Sequence, residues 1–393
     1  MQTFDIVVLG GGMVGLALAR ALKDSQLNIA VVEPYLPQSL SENRDYALRV
    51  SAISPGSQQF LQQLDVWTSI EEQRLQPYQK MHVWEKDSFA KIDFDCHQIM
   101  RPELGYIIEN DVIRDGLWKE IQTQANVTVI DEKCVQLERG QHEAWLRFER
   151  FGMISARLIV GADGANSWLR EQCHVPLTFW DYQHHALVAS VRCEKPHENC
   201  ARQIFTPEGP LAFLPLPEPN LCSIVWSVPK SKAELLQAMP REQFNHQLTI
   251  TFTSQLGLCH LESEVHSFAL RMRYARNFAG ERFALIGDAA HTIHPLAGQG
   301  VNLGLADARS LAQTLLELVD NGGDLGEYRQ LREWERQRKS DAALMIGSME
   351  FFKQLFGGAN PAKKLLRGLG MSLTDQLPFL KQRWMKQAMG LNL

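Results

Sequence analysis

Glycines near the N-terminus of this 393-residue sequence have the spacing of a loop that holds phosphate groups. Gly10, Gly12 and Gly15 follow an apolar run and precede a helical pattern, in the arrangement G-x-G-x-x-G. In such a loop the first glycine allows a tight turn, and the second lets a pyrophosphate approach the backbone. The third lets the helix pack closely on the strand. The free N–H groups at the start of the helix would then hold the phosphates.

A carboxylate follows at the separation that a dinucleotide site requires. Glu33 ends the next apolar run, 23 residues after Gly10. An acid at this place accepts hydrogen bonds from the ribose hydroxyls of an adenosine, and it disfavours the 2′-phosphate of NADP. Strand, glycines and acid together predict a site for NAD or for FAD.

A second glycine-rich stretch, GDAAHTIHPLAGQGVNLG, lies far from the first, at 287–304, and a further strand with a glycine loop, RLIVGADGAN, lies at 157–166. A domain for NAD alone needs neither of them. The N–H groups of a helix that begins near Gly300 would point at an electron-poor ring that becomes anionic on reduction. Asp288 could accept hydrogen bonds from a sugar-alcohol chain. We therefore predict that the first and last loops hold the two ends of one FAD.

Three motifs in this order, GGGMVG at Gly10, GADGANSWLR around Asp163 and GDAAHTIHP around Asp288, resemble the FAD-dependent aromatic hydroxylases, the family of p-hydroxybenzoate hydroxylase. The resemblance covers nearly the whole chain. The stretches LRVSAIS (48–54) and LAFLPLPEPNLCSIVWS (211–227) are most similar to the ubiquinone-biosynthesis branch, in particular to bacterial 2-polyprenylphenol hydroxylases. Hydroxylases of later ring carbons share many of these stretches.

The resemblance implies a role for each matching residue. Arg49 would lie along the FAD, Asp163 would support it, and Asp288 would hold its ribityl chain. Glu109 falls near a polar contact to the cofactor. Pro295 would face the substrate ring, with His294 beside it, and these two are the substrate-facing candidates. The expected cofactor-binding residues are Gly10, Gly12, Gly15, Glu33, Arg49, Asp163, Asp288, Gly298, Gly300, Val301 and Asn302.

The reaction that the resemblance implies is hydroxylation of the aromatic ring of a polyprenylphenol in ubiquinone biosynthesis. NAD(P)H or another donor would reduce FAD, which would react with O2 to a C4a-hydroperoxide, and the phenol would take one oxygen atom. The chemistry belongs mostly to the cofactor, and no metal site or catalytic triad is expected. His184, His185 and His291 are expected to be structural histidines.

Three other functions are compatible with a flavin site. The chain could hydroxylate a later ring carbon in the same pathway, or it could be a flavin-binding structural member of a biosynthetic assembly. The third is a flavin halogenase or epoxidase on a similar scaffold, of which the halogenase is disfavoured because the signature W-x-W-x-I-P is absent. An intact loop for the flavin ring at 298–302 disfavours a purely structural role.

The elements that must position these loops predict an α/β fold class. We expect a Rossmann-like, discontinuous FAD-binding domain, an antiparallel-sheet substrate domain and C-terminal helices. The segments HALVASVRC, RQIFTPEGPLAFLPL and LCSIVWSVP are typical of antiparallel strands. The expected boundaries are 1–75, 100–175 and 275–330 for the FAD-binding domain, 76–99 and 176–274 for the substrate domain, and 331–393 for the C-terminal helical region.

Composition favours a cytoplasmic protein with no nucleic-acid partner. The net charge is −5, and the seven cysteines are scattered without a C-x-x-C pair, which fits a reducing compartment. The N-terminus lacks the basic region of a signal peptide. Residues 360–393 carry six basic residues and one acid between apolar residues. Such a basic amphipathic segment is typical of peripheral contact with an anionic membrane. The alternatives are a helix pair packed on the FAD-binding domain, with solvated basic residues, and docking of a partner protein.

Overall fold

The structure is a computed structural model that describes residues 1–38, 40, 45–87, 91–292 and 300–356, and of residues 348–356 it describes the backbone alone. Its strands are β1 (Gln2–Leu9), β2 (Ile29–Val32), β3 (Val50–Ile53), β4 (Gln76–Tyr78), β5 (Lys80–Glu85), β6 (Lys91–Asp95), β7 (Gly105–Glu109), β8 (Val127–Ile130), β9 (Cys134–Arg139), β10 (Ala144–Phe148), β11 (Met153–Gly161), β12 (Leu177–Cys193), β13 (Cys200–Thr206), β14 (Gly209–Pro215), β15 (Leu221–Pro229), β16 (Cys259–Leu261), β17 (His266–Ala275), β18 (Ala279–Gly280), β19 (Phe283–Leu285) and β20 (His291–Thr292).

Helices connect and cover these strands. Short 3₁₀ helices occur at Cys96–Ile99 and Gly287–Ala289. The α-helices are α1 (Met13–Ala21), α2 (Pro55–Gln63), α3 (Trp67–Glu71), α4 (Asn110–Thr123), α5 (Trp168–Gln172), α6 (Lys230–Ala238), α7 (Arg241–Thr251), α8 (Gly300–Asp320) and α9 (Tyr328–Phe356).

The first sheet has the strand order β18-β19-β11-β1-β2-β8, and β10 and β9 extend it from β11. From β19 to β8 the neighbouring strands are parallel. Their sequences are almost continuous apolar runs, as is typical of parallel strands that are covered on both faces. Ile6, Val7 and Val8 of β1 are completely buried. Helix α1 packs against α4 and α8.

The second sheet is largely antiparallel, with the order β20-β17-β12-β15-β14-β13-β5-β6, and β16 pairs with β12. The three predicted segments form β12 to β15, and their antiparallel pairing is confirmed. Trp226 of β15 packs against Phe244 of α7 in a separate core. A small sheet, β3-β7-β4, contacts this second sheet through Ala52, Ile107 and Leu214.

Helix α8 is amphipathic, and its apolar face packs on the core. Leu303, Leu311 and Leu315 are buried on one face, at the spacing of a helix that lies on a core. The predicted C-terminal helical region is helical as far as Phe356, and residues 357–393 lie outside the described residues. Among the helices that the structure describes, we find none with the length and hydropathy needed to cross a membrane.

Candidate functional site

The loops singled out in the sequence all leave the same edge of the parallel sheet. In the register of the sheet, Leu9 pairs with both Val32 and Gly161, and Gly161 pairs with Leu285. The four strands therefore end at one level, and the loops that begin at Gly10, Glu33, Ala162 and Ile286 lie side by side. Ligands of open α/β sheets bind at this carboxyl edge.

The N-terminal glycines serve different needs. Gly10 has a φ of +108°, and a β-carbon built there would lie 2.4 Å from the carbonyl oxygen of Ala162. A β-carbon on Gly15 would lie 2.1 Å from the carbonyl oxygen of Gly10. Gly12, at the start of α1, is different, because no described atom lies within 4 Å of a β-carbon built there. This open space lies in front of helix N–H groups that lack an intrahelical partner, as a pyrophosphate would require.

Glu33 is held at the end of β2 by the first loop itself. Its Oε2 accepts a hydrogen bond from the N–H of Gly11 at 2.8 Å, and its Oε1 accepts one from the N–H of Tyr35. Arg114 of α4 lies 3.4 Å from Oε2 and donates through Nε to the carbonyl oxygen of Gly11. Sequence reasoning missed Arg114, because only the packing of α4 on α1 brings it to the loop.

Asp163 has an acceptor atom that the described part of the chain does not satisfy. Its Oδ2 accepts a hydrogen bond from the N–H of Leu169 at 3.1 Å, whereas its buried Oδ1 has no partner among the described residues. Burial raises the pKa of this carboxyl, against the lowering effect of its hydrogen bonds. A buried acceptor without a donor destabilises the protein, so Oδ1 is suited to a ligand hydroxyl or N–H group.

Counting the glycine loop after β1 as the first loop, Arg170 joins the second loop, after β11, to the third loop, after β19. Its side chain is almost completely buried, and it donates to the carbonyl oxygens of Ala165 and Ala289, both at 2.9 Å. The sequence places Arg170 in a helix but gives no sign of this bridge. Because Ala289 follows Asp288 directly, Arg170 helps to hold the turn that presents Asp288.

Asp288 lies in the 3₁₀ turn Gly287–Ala289. Its side chain is accessible to solvent and accepts no hydrogen bond from the described residues. Desolvation by the surrounding protein raises the pKa of Asp288, although His291, Arg49 and Arg273 exert opposing, lowering effects. Arg49 is exposed and lies 6.0 Å from the centre of the Phe268 ring. A carboxylate in this setting is available to the hydroxyls of a ligand.

The start of α8 is fixed by the side chain of Asn302. Its Oδ1 accepts from the N–H of Ser54 at 2.9 Å, and its Nδ2 donates to the carbonyl oxygen of Ala52 at 2.8 Å. The backbone N–H groups of Gly300 to Asn302 thus belong to an anchored helix terminus, while the amide side chain is already used. Gly298, Pro295 and His294 lie outside the described residues.

Val14 brings the two glycine-rich loops into contact. A β-carbon built on Gly304 would lie 2.7 Å from Cγ2 of Val14, and one built on Gly287 would lie 3.3 Å from the same side chain. The first turn of α1 is therefore packed between the third loop and α8. Through this contact, loops that are almost 300 residues apart in the sequence become neighbours in the fold.

The remaining candidates have protein partners. Glu109 is buried and accepts from the N–H of Ala47 at 2.6 Å and from Arg74, so it holds the segment before Arg49. His185 contacts Ser267, and His184 contacts two backbone carbonyl oxygens. His291 donates to Asp307 at 2.6 Å. These contacts favour structural roles for all four residues.

This arrangement of hydrogen-bond acceptors and open space fits FAD. Open space at Gly12, the unsatisfied Oδ1 of Asp163 and the accessible carboxylate of Asp288 lie along one edge of the sheet. Glu33 lies against the first loop, and the N-terminal part of α8 lies against the loop that contains Asp288.

The chain is similar to known proteins along its whole length. Residues 3–343 match the family described as FAD binding domain. The 3-demethoxyubiquinol 3-hydroxylase of Escherichia coli (strain K12) is 34% identical over 391 residues, which cover 99% of this chain and 99% of that protein. The mitochondrial ubiquinone biosynthesis monooxygenase COQ6 of Homo sapiens is 32% identical and covers 97% of this chain and 92% of its own length.

A solved structure shows the same fold. The crystal structure of p-nitrophenol 4-monooxygenase PnpA from Pseudomonas putida DLL-E4 superposes with a TM-score of 0.78, at 16% identity, and covers 99% of this chain and 99% of its own. This likeness confirms the predicted fold class.

Proposed function

The chain belongs to the FAD binding domain family, and from this premise we propose that it is an FAD-dependent monooxygenase that hydroxylates the aromatic ring of a polyprenylphenol in ubiquinone biosynthesis. The observation that carries the proposal is the convergence of four motif loops at one edge of the parallel sheet. The two relatives from Escherichia coli and Homo sapiens, both ubiquinone-biosynthesis enzymes by name, support the pathway.

Each part of the site has a task in holding the cofactor. Glu33 would accept from the adenosine ribose, and the space at Gly12 would take the pyrophosphate. Asp163 and Asp288 would accept hydrogen bonds from the middle of the cofactor and its ribityl chain, with Arg49 beside them. Gly298, Gly300, Val301 and Asn302 would hold the flavin ring, and the N–H groups of the last three would stabilise the negative charge that the ring gains on reduction.

When bound and reduced by NAD(P)H, FAD supplies the electrons that activate O2. The protein must orient the phenol, exclude water and accept an apolar tail. Phe268 is 42% exposed beside Arg49, and Leu270 and Met272 follow on the same face of β17. Of these residues Phe268 is the exposed one and offers an apolar aromatic contact beside Arg49, whereas Leu270 is buried in a small core. Pro295 and His294, which lie outside the described residues, are the proposed contacts to the substrate ring.

Oxygen incorporation and regiochemistry test the proposal. The purified enzyme, supplied with NAD(P)H and a 2-polyprenylphenol, should form a hydroxylated product whose new oxygen comes from isotopically labelled O2. Label that arrived from water would contradict a monooxygenase reaction. A protein that retained FAD but gave no product with any donor would favour the structural alternative.

The ring carbon is the finer part of the proposal. The resemblance of the sequence favours the carbon that is oxidised first, whereas the Escherichia coli relative is named for a hydroxylation at position 3. A matched pair of substrates, a 2-polyprenylphenol and a demethoxyubiquinol, separates these choices when both are offered to one enzyme preparation. The faster reaction identifies the step.

We also propose where the substrate is met. A polyprenylphenol is nearly insoluble in water, so its hydroxylase must reach it at a bilayer or receive it from another protein of the pathway. The basic, apolar segment 360–393 suits peripheral contact with the cytoplasmic face of the inner membrane. Docking to a biosynthetic protein complex is the competing proposal for the same segment.

A further inference from the structure

Asp307 of α8 connects three elements around the third loop. Its side chain is 1% exposed. Oδ2 accepts hydrogen bonds from the N–H of Gly287 at 3.0 Å and from Nε2 of His291 at 2.6 Å. Oδ1 accepts from Nε of Arg338 at 2.8 Å. One carboxylate therefore ties the 3₁₀ turn, strand β20 and helix α9 to helix α8.

These ties act on the groups proposed to hold the flavin half of the cofactor. Gly287 directly precedes Asp288, and its φ of +59° lies in the left-handed region that favours glycine. Asp307 also belongs to the helix whose first turn contains Gly300 to Asn302. The carboxylate of Asp307 thus fixes Asp288 and the first turn of α8 relative to each other.

The groups around Asp307 stabilise the negative charge of its buried carboxylate. Burial alone would raise the pKa of Asp307, but the nearby His291 and Arg338 outweigh burial and hold it below its usual range. Arg338 is 4% exposed and also donates to Asp341 at 2.7 Å. All three groups that face Asp307 are donors, so an ionised carboxylate, which only accepts, satisfies each of them.

We propose that Asp307 is a positioning residue for the flavin half of FAD, acting through Gly287 and His291 and supported by Arg338. It does not touch the adenosine half, which is held by the loops after β1 and β2. The inference rests on the proposed cofactor site. It predicts that a change at Asp307 loosens one end of the cofactor and leaves the other end bound.

Asp307→Asn tests this inference because it keeps the size of the side chain. An amide has one accepting oxygen, and its NH2 group would meet a donor of Gly287, His291 or Arg338. We expect the affinity for FAD to fall about tenfold or more, since a hydrogen bond to a charged group is lost. The affinity for ADP, which has only the adenosine half, should stay close to that of the unchanged protein. The absorption spectrum and midpoint potential of the bound flavin should shift.

Asp324→Asn is the matched control. Asp324 pairs with the buried Arg282 at 2.6 Å, in the loop after α8, so the same chemical change is made away from the third loop. We expect it to leave the ratio of FAD to ADP affinity unchanged. The inference is wrong if Asp307→Asn keeps the ordinary ratio, whether both affinities persist or both fall together.

Arg338→Gln provides a second variant if Asp307→Asn fails to fold. It removes the tie to α9 but leaves Gly287 and His291 bound to Asp307. We expect a smaller loss that is again selective for FAD, and an unchanged or equally lowered pair of affinities would overturn the inference. All of these readouts are independent of turnover, so a failure of the hydroxylation assay would not affect them.

Discussion

The glycines of the first loop look alike in the sequence but meet different surroundings. Gly15 has no room for a methyl group, because a β-carbon there would lie 2.1 Å from the carbonyl oxygen of Gly10. Gly12 has open space around it and an ordinary φ of −81°. Close packing therefore requires the glycine at Gly15, whereas Gly12 leaves space for a ligand.

Replacing each glycine by alanine tests this separation. Gly15→Ala should destabilise the protein by about 2 kcal/mol or more through overpacking. Gly12→Ala should leave the stability of the FAD-free protein within about 0.5 kcal/mol, because its methyl group meets no described atom. It should nevertheless weaken FAD binding by about tenfold or more, since the methyl group enters the space for the pyrophosphate. Denaturant unfolding and FAD titration measure the two effects, and a Gly12→Ala protein with full FAD affinity would contradict the assignment.

Asp163 gives a prediction about pH. Because the pKa of Asp163 is raised by burial, ionising this group disfavours the folded state of the FAD-free protein. That loss of stability develops as pH rises above the unfolded-state pKa, at about 3.9, and is complete above the raised pKa. Asp163→Asn should therefore stabilise the FAD-free protein at neutral pH, and the gain should disappear below about pH 4.

Unfolding of both proteins across this pH range provides the measurement. The same substitution should weaken FAD binding, because an amide NH2 or a rotated oxygen cannot reproduce the free carboxylate acceptor. Equal stabilisation at every pH would show that ionisation of Asp163 is not the cause. Full FAD affinity of the Asp163→Asn protein would show that Asp163 does not bind the cofactor.

Among the elements, the sequence reveals local structure better than side-chain bridges. The strand before Gly10, the acid Glu33 and the amphipathic α8 follow from apolar periodicity and motif spacing. Arg114 and Asp307 do not, because each acts across more than one element and has no spacing of its own. Asn302 belongs to a recognised motif, but the motif does not reveal that the amide side chain anchors α8 to Ala52 and Ser54.

The contact of α1 with α8 yields a prediction at the scale of elements. Gly304→Ala would push a methyl group against Val14, so we expect a loss of about 1–3 kcal/mol from overpacking. Val14→Ala opens that space, and the double variant should lose less than the sum of the two, by about 0.5 kcal/mol or more. FAD affinity should recover in parallel, because the same contact sets the spacing of the two loops.

Gly347→Ala serves as the control for helix propensity. Gly347 lies in α9, and no described atom lies within 4 Å of a β-carbon built there. The change should stabilise the protein by up to about 1 kcal/mol. If Gly304→Ala were equally stabilising, or if the double variant were simply additive, α1 and α8 would not be packed through Val14 as described.

Across the whole molecule, chain order and spatial order differ. The strands of the parallel sheet come from separated parts of the chain, and β12 to β17 intervene between β11 and β19. The motifs reveal that distant loops share a ligand, but only the register of β19, β11 and β1 places them at one level. The boundaries 1–75, 100–175 and 275–330 stay a prediction, as does the assignment of 76–99, 176–274 and 331–393.

Charge is also divided unevenly along the chain. Residues 360–393 carry a net charge of +5, so residues 1–359 carry −10. An anionic membrane would repel the larger part and attract the tail. Because each Lys or Arg near such a surface adds about 1 kcal/mol, the tail has enough charge to decide whether the protein binds. Its apolar residues would add to that attraction.

Vesicle flotation tests this division of charge in the full-length protein. We expect binding to anionic vesicles at low salt, little binding to neutral ones, and weaker binding as salt screens the charges. Changing Lys363, Lys364 and Arg367 to glutamine should weaken binding about a hundredfold, because about 3 kcal/mol is removed. A control with Lys91, Lys195 and Lys230 changed to glutamine alters the net charge equally outside the tail and should bind normally. If the two triple variants float alike, or if the unchanged protein ignores anionic vesicles, the proposal that the tail contacts the membrane is wrong.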